Sequence, residues 1–426
     1  GDNSAIVQKP VSLESVDSQN NVRFSTGINE FDRVLGGGAT KRSAILIGGE
    51  PGIGKSTLLL QTASSVQTGG RVLYISGEES ASQIRSRADR LKIDIQNIDI
   101  LCTLRLDDID HALNEMNPIC VIVDSIQTVY SAEAGIVPGT VNQLKYCSNE
   151  LISWVKERDS VLFLSAHVTK DGVIAGPKSL EHMVDTVISF ERNSDDVRFL
   201  RAQKNRFGSV DELGIFSMNE NGLMPVEDPS AMFITQREGK LPAGIAIVPV
   251  FEGSRVFMVE IQALTIPAKA SIARVFSEKI ESARVSRVAA VLEKKSGLKL
   301  SEYDLYVNVA GGARLTESAI DLALAAALYS ARTDLPCPDA AALAGEISLA
   351  GEIRPVSRLK QRIKTAQSLG FNRIFAPEKS ADTVFVSDIK SLIKELLAPT
   401  IFIMEISSCL SYMASLTVLE IMKVGF

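Results

Sequence analysis

From residue 43 onward the chain alternates short apolar runs with longer stretches of helical periodicity. The apolar runs are Ala44–Gly48, Val72–Ser76, Ile98–Cys102, Ile119–Asp124, Val161–Ala166 and Val184–Phe190. They are near-continuous in Val, Ile and Leu, the pattern of strands buried on both faces. Between them, Ser56–Val66, Ser80–Lys92 and Val141–Arg158 read as amphipathic helices. This alternation predicts an α/β layer whose parallel sheet is covered on both sides. Val197–Gln203 and Glu212–Met218 then predict a hairpin, with Lys204–Asp211 as its turn.

The pattern changes in residues 226–243, where Pro229, Gly239 and Pro242 stand among charges and predict a linker. Beyond it, Ile245–Phe251, Arg255–Leu264 and Asp304–Val309 read as strands, and Ser282–Lys295 and Glu317–Ala331 as helices. An α+β domain is therefore expected over 244–396, after a first domain over 23–225. Residues 1–22 are polar and aperiodic, as in an extended arm. The tail, 397–426, is hydrophobic, and its Thr400–Leu419 stretch holds one charge, Glu405. No cluster of positive charge flanks it, so a buried or subunit-contact helix is expected there and no membrane span.

Composition narrows the class. In 426 residues, 45% hydrophobic and 23% charged side chains give a globular balance. The net charge of −6 excludes a surface coated in basic groups, yet leaves room for a local basic groove. The five cysteines, Cys102, Cys120, Cys147, Cys337 and Cys409, form no Cys-x-x-Cys pair, and there are three histidines. No zinc is expected within this chain. Scattered thiols without a signal-peptide pattern fit the cytoplasm.

The chemistry begins at Gly49-Glu50-Pro51-Gly52-Ile53-Gly54-Lys55-Ser56-Thr57, a full match to the P-loop G-x-x-x-x-G-K-[ST]. A predicted strand precedes it and a predicted helix follows. The glycines let successive N–H groups turn toward a phosphate, and the helix adds its positive end. Lys55 supplies charge to the β- and γ-phosphates, and the Ser56 hydroxyl can ligate Mg²⁺. ATP or ADP with Mg²⁺ is thus the expected cofactor set. Asp124, at the tip of the apolar run Cys120–Asp124, is the second expected Mg²⁺ residue. Glu78 and Glu79 follow the run Val72–Ser76. Glu78 is taken as the group that activates water, although acids here also suit the start of a helix. His167 follows Val161–Ala166 and either senses the γ-phosphate or merely closes a strand.

The segment Phe24–Gly38, running into the P-loop, resembles the RecA-type ATPase superfamily. The signature Lys204-Asn205-Arg206-Phe207-Gly208 narrows the resemblance to the RadA (Sms) family of bacterial DNA-repair proteins, over residues 22 to 395. That resemblance implies a RecA-like ATPase core and a homo-oligomeric ring, usually a hexamer. It also implies DNA-stimulated ATP hydrolysis, action on single-stranded and branched DNA, and work beside a RecA-type recombinase in strand exchange and branch migration. Lys204 and Arg206 would then reach the γ-phosphate of a neighbour's ATP; from residue types alone they are a solvated basic turn. The loops at 130–140 and 168–178 would line the ring's channel, with Lys170 and Lys178 on DNA and Tyr130 beside it.

The second half resembles the Lon protease domain. Gly311-Gly312-Ala313-Arg314-Leu315-Thr316-Glu317-Ser318-Ala319 sets Ala319 at the place of Lon's nucleophilic serine, and Lys360 at the place of its lysine. A Ser-Lys dyad needs both members. The resemblance therefore implies a domain inactive as a protease, with Arg314, Arg358 and Lys360 as DNA contacts. The family's usual four-cysteine zinc module is not found in this sequence. Two other readings stay open: an ATP-dependent Lon-like protease, and a nucleotide-switched signalling ATPase of the clock type.

Overall fold

The computed structural model describes residues 12, 14, 22–66, 69–135, 137, 139–168, 179–193, 196–227, 229–269 and 272–396. Lys170, Lys178 and the tail 397–426 lie outside the described residues, as does nearly all of the arm. The chain divides into two compact units, residues 1–227 and 228–426.

In the first unit the elements run β1 (Arg23–Phe24), α1 (Asn29–Val34), β2 (Ala39–Thr40), β3 (Ser43–Gly49), α2 (Lys55–Ser65), β4 (Val72–Ser76), α3 (Ala81–Leu91), β5 (Ile98–Cys102) and α4 (Leu106–Met116). They continue with β6 (Cys120–Asp124), α5 (Val141–Lys156), β7 (Val161–His167), α6 (Ser179–Met183), β8 (Thr186–Arg192), β9 (Val197–Asn205), β10 (Leu213–Asn219) and β11 (Gly222–Pro225). Nine strands form one sheet in the order β11-β10-β9-β8-β3-β7-β6-β4-β5. The six from β8 to β5 are parallel, and β9 to β11 add antiparallel pairs at one side.

The apolar runs explain the layering. Every residue of β3 is buried. Ile45 and Ile47 face one way, against Leu58 and Leu59 of α2 and Ile84 and Ala88 of α3. Ala44 and Leu46 face the other way, against Ile109 of α4 and Leu144, Leu151 and Val155 of α5. Period-two alternation within an all-apolar strand thus feeds two cores. Local chemistry fixes the helix starts. Ser80 and Gln83 form a capping box at the head of α3, and Thr140 caps α5.

The structure is therefore the RecA-like α/β arrangement expected, and the predicted hairpin is β9–β10, in register from Leu213↔Arg201 to Ser217↔Val197. Helix α4 carries apolar residues at 106, 109 and 113, a pattern the strand–helix count passed over.

The second unit holds β12 (Ile245–Glu252), β13 (Arg255–Pro267), β14 (Val275–Ser277), α7 (Ser282–Ser296), β15 (Tyr303–Val309), α8 (Asp321–Thr333), β16 (Ala341–Leu343), β17 (Glu346–Ile347), β18 (Ile353–Arg354), α9 (Leu359–Ser368), β19 (Arg373–Ala376) and β20 (Thr383–Phe385). Its main sheet runs β12-β13-β15-β14, beside a parallel sheet β16-β19-β20. Alanine-rich α8 is its spine: every residue from Leu322 to Leu328 is fully buried. Small side chains allow that close approach. Phe233, from the stretch read as a linker, is buried and bridges Val259 of β13. Nearby, Arg237 donates twice to the fully buried Glu260, each bond 2.6 Å. No helix among the described residues is long and apolar enough to cross a membrane.

Candidate nucleotide-binding site

Parallel strands end at one edge of a sheet, so the loops after β3, β4, β6 and β7 are brought together there. Strand register makes this concrete. Gly49 pairs with His167, and Ser76 pairs with Asp124. A cleft of about 470 Å³ opens at this edge, and Lys55, Ser56, Glu78, Asp124 and His167 all line it.

Backbone geometry shapes the loop Gly49–Ser56. Gly54, with φ 120°, stands before α2, and Gly52 has φ 75°. A side chain is disfavoured at such angles. At Gly54 a Cβ would also lie 2.6 Å from the Met218 methyl. The Lys55 side chain folds back over the loop, where its ammonium donates to the carbonyls of Gly49 (2.7 Å) and Glu50 (2.9 Å). Burial lowers its pKa, and the charges of Asp124 and Glu78 oppose that shift. The ammonium is thus held at the mouth of α2, ready to exchange carbonyls for phosphate oxygens.

Asp124 accepts a hydrogen bond from Tyr74 at 2.8 Å. Burial, followed by the Asp124 charge, pushes the Tyr74 phenol well above its ordinary pKa, so it remains a donor. This fixes the carboxylate beside Ser56 in the cleft. One hydroxyl, one carboxylate and open space for phosphate oxygens and water suit Mg²⁺, which keeps much of its hydration. Among the described residues no group of three or more His, Cys, Asp or Glu could hold a metal ion. The Ser56 hydroxyl and the Asp124 carboxylate fit a metal that arrives with its nucleotide.

His167 joins the remaining groups. Its Nδ1 lies 3.3 Å from the Lys55 ammonium, and its Nε2 lies 3.2 Å from Glu78. An ammonium has only protons to give, so Nδ1 accepts and the ring proton sits on Nε2, aimed at Glu78. Ser125 donates to the same Glu78 oxygen at 2.8 Å. Glu79 is engaged differently, in an ion pair with Arg87. Of the two adjacent acids, Glu78 is the one tied to the phosphate-loop lysine through His167.

Lys204 and Arg206 do not line the cleft of their own chain. The Lys204 ammonium donates to the carbonyls of Glu181 (2.8 Å) and Val184 (2.7 Å) at the end of α6. Burial and then the Arg206 charge lower its pKa. Arg206 pairs with the buried Asp185 at 3.2 Å, while about half of its side chain stays exposed. The turn docks on its own chain through Asn205, which donates to Leu35 O at 3.2 Å.

In the second unit, Arg314 and Lys360 are exposed. Arg358 lies 4.8 Å over the Phe251 ring and is also exposed. Ala319 is buried. Beyond it, Asp321 is fully buried between Arg284 (3.0 Å) and Arg287 (3.1 Å). Burial raises its pKa against the pull of the Ile347 N–H and both arginines.

Comparison with known proteins follows the same division. Residues 24–109 match the family model described as ATPase: KaiC, and residues 259–380 match that of subunit ChlI of Mg-chelatase. DNA repair protein RadA of Treponema pallidum (strain Nichols) is 68% identical over 365 residues, covering 86% of this chain and 80% of the relative. The chain belongs to the RadA family of DNA repair proteins. RadA of Bacillus subtilis (strain 168) is 47% identical, with 88% of this chain and 82% of the relative covered. RadA of Rickettsia typhi is 45% identical, with 89% and 88% covered.

Three features of this RadA-family site were not legible in the sequence. Gln127 clamps the His167 backbone, accepting from its N–H at 2.9 Å and donating to its carbonyl at 3.2 Å. Ser125 orients Glu78. Arg87 and Arg90 of α3 line the same cleft. Nothing in a basic amphipathic helix marks which of its arginines face a ligand.

Proposed function

We propose that this chain is a DNA-stimulated ATPase of recombinational DNA repair. It works as a ring, hexameric by expectation, on single-stranded and branched DNA beside a RecA-type recombinase. Turnover drives strand exchange and branch migration. The observation that carries the ATPase part is the Lys55–His167–Glu78 contact chain in the P-loop cleft; kinship to the RadA proteins supports the DNA part.

The residues divide the work. The loop Gly49–Thr57 binds the triphosphate through its N–H groups and Lys55. Ser56 and Asp124 hold Mg²⁺, which neutralises charge on the phosphate oxygens when bound. Glu78 accepts the proton of the attacking water, and His167 orients Glu78 and reads the γ-phosphate. Lys204 and Arg206 leave their resting contacts and enter the cleft of the next subunit. A cation delivered there stabilises charge that builds up in the transition state. Lys170, Lys178, Arg314, Arg358 and Lys360 hold the DNA backbone, and salt weakens that hold. The second unit serves assembly and DNA contact without proteolysis, since Ala319 offers no nucleophile.

The test is ATP turnover with and without single-stranded DNA, alongside Lys55→Ala and Arg206→Ala. DNA is expected to raise turnover in the unchanged protein, and both variants to lose it. Turnover indifferent to DNA would remove the motor reading. Casein digestion that depends on ATP would restore the protease.

A further inference from the structure

The α3 wall of the nucleotide cleft carries two cations that no step above uses. The capping box at Ser80 sets the phase of α3. Ile84, Ala88 and Leu91 then face the core. Arg87 and Arg90, three apart and therefore neighbours on the helix surface, reach the cleft that holds Lys55, Ser56 and Asp124.

A second cleft of about 500 Å³ adjoins it, sharing Glu79, Arg87 and Arg90 and adding Ser82, Gln83 and Ser86. Every residue that lines this extension is polar, and none offers an aromatic face. Such a wall suits phosphate oxygens rather than a stacked base.

The arginines are also under-used. Arg87 gives one nitrogen to Glu79, while its Nη1 is buried with no partner among the described residues. A buried donor left unmade is costly, so such a group in a ligand cleft points to a missing acceptor. Arg90 is exposed and makes no ion pair among the described residues. Arg87 also sits close enough to Tyr74 for its charge to be felt there, and Tyr74 is the donor to Asp124. Arg87 thus flanks the carboxylate expected to face the metal.

We propose that Arg87, assisted by Arg90, binds the phosphate chain of the nucleotide from the α3 side, as a second cationic wall within the same subunit. This rests on the reading of the cleft as a nucleotide site.

The test measures dissociation constants of the full chain for Mg-ATP, Mg-ADP and inorganic tripolyphosphate. Arg87→Ala is expected to weaken all three by about tenfold or more, the scale of a charge-assisted hydrogen bond. Arg87→Lys should recover part of the loss, and Arg90→Ala should show a smaller one. Glu79→Gln, which frees Arg87, should bind at least as well as the unchanged protein. Tripolyphosphate binding unaltered by Arg87→Ala would overturn the proposal. So would equal losses of affinity and of melting temperature in Arg87→Ala and Glu79→Gln, the mark of a fold-holding pair. Lys55→Ala is the control: if it binds ATP normally, the nucleotide-site reading itself fails.

Discussion

The imidazole Nε2 of His167 lies 3.2 Å from the Glu78 carboxylate, although the two residues are 89 positions apart in the chain. The other ring nitrogen faces Lys55. One side chain therefore links the group proposed to bind phosphate to the group proposed to handle water. Glu78→Gln should lower turnover by about 10²–10⁴-fold, the usual contribution of a general base. ATP affinity should change by no more than about threefold. His167→Ala should give a smaller fall in turnover at similar affinity. Rapid-quench turnover and equilibrium binding separate the two effects, and full activity in Glu78→Gln would remove it as the base.

Lys55 is held by the Gly49 and Glu50 carbonyls of its own loop, which a phosphate is proposed to replace. Mg-ATP at about 100 times its dissociation constant should stabilise the protein by about 2.7 kcal/mol. Differential scanning calorimetry should record this as a rise in Tm. The same addition should leave Lys55→Ala unmoved. A Tm rise equal to that of the unchanged protein would show that Lys55 does not bind the nucleotide.

Arg206 rests against Asp185 in its own chain with half its surface in water. Its removal should lower turnover by about 10³-fold if it completes a neighbour's site. Assembly, followed by sedimentation, should persist. Mixing Lys55→Ala subunits with unchanged ones should then reduce activity more steeply than dilution alone. A strictly linear loss would argue for sites that work independently.

The second unit offers a stability test. Burial alone would raise the Glu260 pKa, but hydrogen bonds from Arg237, Gln262 and Thr235 N outweigh it and hold it below the usual range. A lowered carboxyl pKa contributes stability above the unfolded value, about 4.3. That contribution is lost as pH falls through the folded value. Arg237→Ala should cost about 3 kcal/mol near neutrality, because it leaves a buried carboxylate unpaired. It should also flatten the loss of stability in acid. Urea titrations between pH 3 and 7 would show both, and an unchanged acid limb would refute the assignment.

The layers of the first unit were legible because buried parallel strands are written as unbroken apolar runs, such as Cys120–Asp124. The phosphate loop was legible because its backbone demands glycine at Gly52 and Gly54. What escaped was set by contacts between distant segments. Gln127 meets His167 only after β6 and β7 lie side by side. The contact of Glu78 with His167 has no local signature in the chain. Phe233 and Arg237 looked like linker residues because the sheet that receives them lies further along the chain.

Strand β3 sits between β7 and β8 and pairs with no other strand. A ribosome that has delivered Ser43–Gly49 must still synthesise as far as Val161–His167 before that strand finds a neighbour. A strand buried along its whole length therefore waits unpaired through much of the unit's translation. Long-range parallel pairing of this kind is slow and leaves hydrophobic surface open to aggregation. A nascent chain cut short before β7 would carry an intact phosphate loop with no sheet to hold it, and should depend on chaperones to stay in solution.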